Sequence, residues 1–283
     1  MSDVPGTEGA FTLSDGTVLR YREAGAGPVL LMIPGWSQTA EQFKHQITGL
    51  SDKHHVIALD MRGHGASDKP DFGYRISRLA ADVKELLDGL DLRGVSILGH
   101  SMGCSVIWSY HDLFGSHRLA SLLLIDQMPV VAGNPAWSEE EKANYGPIFT
   151  PDSLYETINA LAGPEGEATT RGFIGGMVTD AMTQETRNWM IDCNLRLPRR
   201  HAAALLLNHG GQDWRDAIAR IQLPTLVVAG RSSLVPWTSC AWIHSQIPGA
   251  ELEVFEEAEG GQHFMFIENP DKFNARVAAF LAR

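Results

Sequence analysis

The chain has 283 residues, 44% of them apolar and 20% charged, with 34 acidic against 23 basic residues and a formal net charge of −11. This is too apolar for a disordered chain, and the acidic balance disfavours a nucleic-acid partner or an anionic membrane. No run reaches the roughly 20 apolar residues of a membrane helix, and the opening MSDVPGTEGAF has neither a basic start nor an apolar signal segment, so a cytoplasmic location is expected.

Length alone allows one large α/β domain or two ordinary ones. Three cysteines, Cys104, Cys193 and Cys240, form an odd set with no CxxC spacing. They read as buried thiols in a reducing compartment, and no histidine spacing reads as a metal site.

In chain order, residues 10–13 and 17–23 read as a hairpin around Asp15-Gly16. Val29–Ile33 is a short apolar run ending at Pro34-Gly35, as in a strand buried on both faces. Thr39-Ala-Glu-Gln42 reads as a capping box opening a helix to about Leu50. His55–Asp60 is the next strand, followed by the turn Asp60-Met-Arg-Gly-His-Gly-Ala-Ser67. Ile76, Leu79, Ala80, Val83, Leu87 and Leu90 then recur at helical spacing. Val95–Leu98 reads as a strand, 102–114 as a helix, and Ser121–Ile125 as a strand. Thr225–Ala229 and Glu251–Glu256 are strands around a helix at 237–247. The last helix opens at Asn269-Pro270.

This alternation predicts an α/β fold with a doubly wound, mostly parallel sheet. Residues 128–212 break the rhythm. They lack a clear strand and carry Trp137, Tyr145, Phe149, Phe173, Met177, Met182, Trp189 and Met190. They read as a helical cap inserted before the penultimate strand, over a core made of 1–127 and 213–283. That core is about 200 residues, ordinary for one domain.

The sharpest motif is Gly99-His100-Ser101-Met102-Gly103, a G-x-S-x-G sequence between a strand and a helix. Its glycines suit a turn too tight for side chains, which holds the Ser101 hydroxyl at a helix N-terminus. A serine needs a base to act as nucleophile. His263 follows the last strand, and in a parallel sheet that loop shares an edge with Ser101. His64 reads as structural, and His100 should point elsewhere on so tight a turn.

The chain resembles the α/β-hydrolase superfamily, in its haloperoxidase- and epoxide-hydrolase-like branch. The residues carrying this are Pro34-Gly-Trp-Ser37, Asp60 to Ser67, Gly99 to Gly103, Leu223-Pro-Thr-Leu-Val227 and His263 through Phe280. That family usually places its acid after the strand Thr225–Ala229. Here Gly230-Arg-Ser-Ser-Leu-Val-Pro236 has serine instead, and no carboxylate lies between Gly230 and Glu251. Asp126, at the end of the preceding sheet strand, is the expected triad acid, with Asp60 as runner-up. The resemblance further implies an oxyanion hole from the backbone amides of Met102 and Trp36. Trp36, Met128, Trp137 and Trp189 are the expected substrate-binding residues.

The implied activity is that of a serine hydrolase acting on a carboxylic ester or lactone of a small, neutral, apolar substrate through an acyl-enzyme, with no metal and no cofactor. Ser101 disfavours epoxide hydrolases and haloalkane dehalogenases, which use aspartate at the elbow. Two alternatives share the site. One is a perhydrolase or cofactor-free haloperoxidase using the same triad. The other is a cofactor-independent dioxygenase using the histidine–aspartate pair as base. A ligand receptor without turnover is a third reading, disfavoured by the complete triad. The expected partner is a small-molecule substrate, with no nucleic acid and no membrane; a homodimer is left open.

Overall fold

Apolar runs of five to seven residues supply a sheet, and the amphipathic stretches between them cover both of its faces. The computed structural model describes residues 4–283; the first three residues of the expected core segment 1–127 lie outside the described residues. The hairpin forms from β1 (Thr7–Thr12) and β2 (Val18–Ala24), joined through Gly16 at φ +85°. Then come β3 (Val29–Ile33), β4 (His55–Asp60), β5 (Val95–His100), β6 (Leu119–Ile125), β7 (Thr225–Gly230) and β8 (Glu251–Phe255). Their spatial order is β1-β2-β4-β3-β5-β6-β7-β8. β2 meets β4 antiparallel, and from β4 to β8 every neighbour is parallel.

The first helices are α1 (Lys44–Leu50), α2 (Ile76–Gly89) and α3 (Met102–Phe114). Six follow between β6 and β7: α4 (Glu139–Tyr145), α5 (Pro151–Ala162), α6 (Gly166–Gly175), α7 (Gln184–Asn194), α8 (Arg199–Gly210) and α9 (Arg215–Ile218). The chain ends with α10 (Trp237–Gln246), α11 (Met265–Glu268) and α12 (Pro270–Leu281). Among the described residues no helix is long and apolar enough to cross a membrane.

The two-residue period of a strand divides the core in two. Leu31 and Ile33 of β3 pack with Leu79, Val83, Val106 and Ile243, from α2, α3 and α10. Leu30 and Met32 turn to the other face, with Ile47 of α1 and Phe273 and Val277 of α12. The sheet is therefore doubly wound. Cys104, Cys193 and Cys240 are free and buried, and burial pushes each thiol up.

One local expectation needs correcting. The box at Thr39 opens a 3₁₀ turn, Ala40–Phe43, and α1 proper starts only at Lys44. Gln42 Oε1 accepts from the Thr39 N–H at 3.1 Å, while Asp60 Oδ1 takes the Ala40 N–H at 2.7 Å. A long-range carboxylate thus helps shape a turn that local spacing assigns to the helix.

Arg62 ties the hairpin to α2. Its buried guanidinium donates two bonds of 2.9 Å to Asp82 and further bonds to Asp15 and Thr17. Removing one partner of a buried ion pair strands the other charge. Asp82→Ala should therefore lower the unfolding free energy by about 3–5 kcal/mol in urea. A loss below about 1 kcal/mol would mean that the network adds little to the fold.

Candidate active site

The parallel strands end along one edge, and the loops after β3, β5, β6, β7 and β8 converge there. β5 passes into α3 through Ser101, whose backbone sits at φ 52°, ψ −126°. A β-carbon on Gly99 would lie 2.6 Å from the Gly103 carbonyl carbon, and one on Gly103 only 2.4 Å from Ile33 O. The turn therefore closes only with glycine on both sides. The Ser101 N–H donates to Ile125 O at 2.8 Å, fastening the elbow to the end of β6.

The next residue along β6 is Asp126, also left-handed at φ 51°, with its N–H on Val228 O of β7. Its carboxylate is wholly buried. Oδ1 accepts the Gly230 N–H at 3.0 Å, and Oδ2 accepts the Ser233 hydroxyl and His263 Nδ1, the latter at 2.7 Å. A carboxylate facing Nδ1 makes that nitrogen the donor and leaves Nε2 as the base. The loop carrying His263 runs close over β7, because a β-carbon on Gly230 would lie 2.5 Å from Gly261 O.

His263 and Ser101 line one cavity. No hydrogen bond joins Ser101 Oγ to His263 among the described residues; such contacts often tighten only when substrate binds. Asp60, the runner-up, spends its oxygens on the Ala40 and Ala66 amides at 2.7 and 2.8 Å. His100 turns away from the cavity. Its Nε2 lies 2.8 Å from the His263 carbonyl and its Nδ1 2.8 Å from Gln38 Oε1. His64 braces the loop after β3, with Nε2 accepting the Ser37 N–H at 3.2 Å and Nδ1 donating to Arg62 O.

That loop positions Trp36. Its indole N–H donates to Ala202 O of α8 at 2.8 Å, and Ser37, at φ 63°, is held by Asn194 O and Arg199. The amides on either side of Trp36 are occupied, Gly35 by Gln38 Oε1 and Ser37 by His64. Among the described residues the Trp36 and Met102 amides make no hydrogen bond to protein, so both are available to an oxyanion.

The cavity measures about 60 Å³. Its wall is mostly apolar, with Trp36, Met128, Phe149, Phe173, Met177 and Leu206 among its residues. Trp36 and Met128 thus lie where the sequence reading puts them. Trp137 and Trp189 do not. Trp137 packs edge-on against Tyr145 at 5.2 Å and under Arg215, and Trp189 lies 4.2 Å below Lys44 Nζ. These large rings anchor inserted helices to their neighbours instead of facing Ser101. Ser233 was missed as a site residue; the clue was a serine where the family's pattern has its acid.

A family model described as the alpha/beta hydrolase family matches residues 30–276. The chain is 28% identical, over 95% of its length and 98% of the relative's, to the non-heme chloroperoxidase CPO-A1 of Kitasatospora aureofaciens. Its fold is similar to that of an esterase from Exiguobacterium antarcticum, with TM-score 0.87, 24% identity and coverage of 99% and 100% of the two chains. It is also similar to the enol-lactonase of Burkholderia xenovorans LB400, with TM-score 0.83, 20% identity and coverage of 97% and 100%.

Burial holds His64 down to about 4 and His209 down to about 3, against 6.5 for a free imidazole. The unfolded chain therefore binds more protons below pH 6.5, so the stability these neutral rings contribute is full above 6.5 and lost as pH falls toward 4 and then 3. The thermal midpoint should drop steadily from pH 6.5 to pH 4. A flat profile by scanning calorimetry would contradict this.

Proposed function

The chain belongs to the alpha/beta hydrolase family, and on that basis we propose that it is a serine hydrolase cleaving small, uncharged carboxylic esters or lactones through an acyl-enzyme. The observation that carries this reading is the 2.7 Å bond from His263 Nδ1 to buried Asp126, with Ser101 on its strained elbow facing the same cavity.

Ser101 Oγ attacks the carbonyl carbon as its proton passes to His263 Nε2. The Trp36 and Met102 amides take the negative charge on the carbonyl oxygen. Asp126 stabilises the imidazolium without itself taking the proton. The tetrahedral adduct collapses, the C–O bond to the alcohol breaks, and His263 returns its proton to that oxygen. Water, deprotonated by His263, then cleaves the acyl-enzyme to acid and free Ser101. No step calls on a metal or an organic cofactor. The helices within 128–212 serve as a cap whose Phe149, Phe173 and Met177 close the acyl side.

A cavity of about 60 Å³ is small beside the roughly 300 Å³ or more of drug-sized ligand pockets. It suits a short acyl group. A second reading keeps the triad and replaces water by hydrogen peroxide, giving a peracid and free Ser101. It is supported by the likeness to a non-heme chloroperoxidase over nearly the whole chain. Acetate- and peroxide-dependent halogenation, measured beside ester hydrolysis, separates the two.

A fluorophosphonate should label the parent and not Ser101→Ala, and that variant should lose several orders of magnitude in ester turnover, keeping a residue of about 10³–10⁴ over water. Oxygen uptake with a hydroxyquinolone and no labelling would instead assign His263–Asp126 as base on a ring hydroxyl. Asp126→Asn should cost about 10⁴ in kcat and Asp60→Asn far less, with the double variant Asp126→Asn/Ser233→Asp regaining part of the loss. Equal losses at Asp126 and Asp60 would sink the acid assignment. Phe173→Ala should move the optimum toward longer acyl chains in a p-nitrophenyl ester series.

A further inference from the structure

The cavity facing Ser101 contains two polar side chains that acyl transfer does not use. Gln127 follows Asp126 and is 3% exposed; His209 stands in the last turn of α8 and is 5% exposed. Gln127 Nε2 lies 3.1 Å from Met128 O and 3.5 Å from His209 Nε2. An amide nitrogen only donates, so His209 Nε2 accepts and the ring proton resides on Nδ1. Burial keeps this ring neutral. Nδ1 is buried and has no hydrogen-bond partner among the described residues, and Gln127 Oε1 accepts none from the protein there. Buried polar groups in native folds are nearly always partnered, so a spare donor on one cavity-lining residue and a spare acceptor on the residue it touches require an explanation.

Among the described residues no lysine, arginine, aspartate or glutamate lines this cavity. A charged substrate group would lose its water there without a counter-ion, which is strongly unfavourable. An uncharged group that both donates and accepts has neither problem. We infer that Gln127 and His209 form a recognition subsite for an alcohol hydroxyl, so that the substrate class is a small hydroxylated ester or lactone and not a plain hydrocarbon one. The identity of the scissile bond rests on the serine-hydrolase reading; the subsite itself does not.

The experiment separates the two. Binding to the full-length Ser101→Ala protein is measured by isothermal titration calorimetry with two matched pairs. Ethyl 3-hydroxybutyrate is compared with ethyl 3-methylbutyrate, and 2-hydroxyethyl butyrate with propyl butyrate. Within each pair a hydroxyl replaces a methyl group, on the acyl or the alcohol side. At least one hydroxyl ester should bind about fivefold to tenfold more tightly than its methyl twin. That preference should fall to about one when Gln127→Leu or His209→Phe is added, both checked for folding by circular dichroism. Equal, weaker or undetectable binding of both hydroxyl esters overturns the subsite, as does a preference that survives both substitutions. If one variant fails to fold, the Ser101→Ala protein and the other variant decide. A preference in binding with no turnover by the parent, and no fluorophosphonate labelling, counts against the hydrolase reading and supports the subsite.

Discussion

A carboxylate removed from water needs donors around it, and Asp126 draws its three from separate segments. The Gly230 amide comes from the end of β7, the Ser233 hydroxyl from the loop beyond it, and His263 Nδ1 from the loop after β8. The backbone N–H of the same residue holds Val228. One residue therefore ties β6 to β7 at the site and fixes the path of two loops and the face that His263 presents. Ser233 belongs to this arrangement. An aspartate in its place would set two negative charges against one imidazole, each disfavouring the other's ionisation. A hydroxyl turns the rival acid position into a donor.

Much of this was legible in the sequence, for a physical reason. Strands buried on both faces leave unbroken apolar runs, so Val29–Ile33 and His55–Asp60 are found with the bounds the sequence suggests. The elbow is legible because its glycines answer steric demands between backbone atoms a few residues apart or one strand away. Asp126 came into view through the absence of a carboxylate between Gly230 and Glu251. The lining of the cavity was only half legible. Residues 128–212 show no single period, and their aromatics divide between cavity and inter-helix packing according to contacts far apart in sequence. Trp137 and Trp189 fall on the packing side, Phe149 and Phe173 on the cavity side. The start of α1 departs from the local spacing for the same reason, since Asp60 shapes the turn at Ala40 from 20 residues away.

The inserted helices do more than roof the cavity. α8 receives the Trp36 indole N–H at Ala202 and supplies Arg199 to Ser37, while Asn194 at the end of α7 takes the Ser37 hydroxyl. The loop carrying Trp36 and Ser37 is thus held by α7 and α8 as well as by its junction with β3. Leu206 and His209, which line the cavity, belong to the same α8. Part of the cavity wall and the brace on the Trp36 loop thus come from one helix.

Ser37, Ser101 and Asp126 have a further property in common. Each adopts a left-handed backbone that side chains other than glycine's resist, and each stands just beyond the end of a neighbouring strand, β3, β5 or β6. Conformations of this kind carry a cost of order 1–3 kcal/mol apiece. Glycine would relieve it at any of the three and would remove the hydroxyl or carboxylate that makes the position useful. The central strands thus act as a clamp against local relaxation, and part of the fold's cohesion is committed to holding three residues where the isolated peptide would not stay. Drift toward a more stable chain and drift away from chemistry would pass through the same three codons.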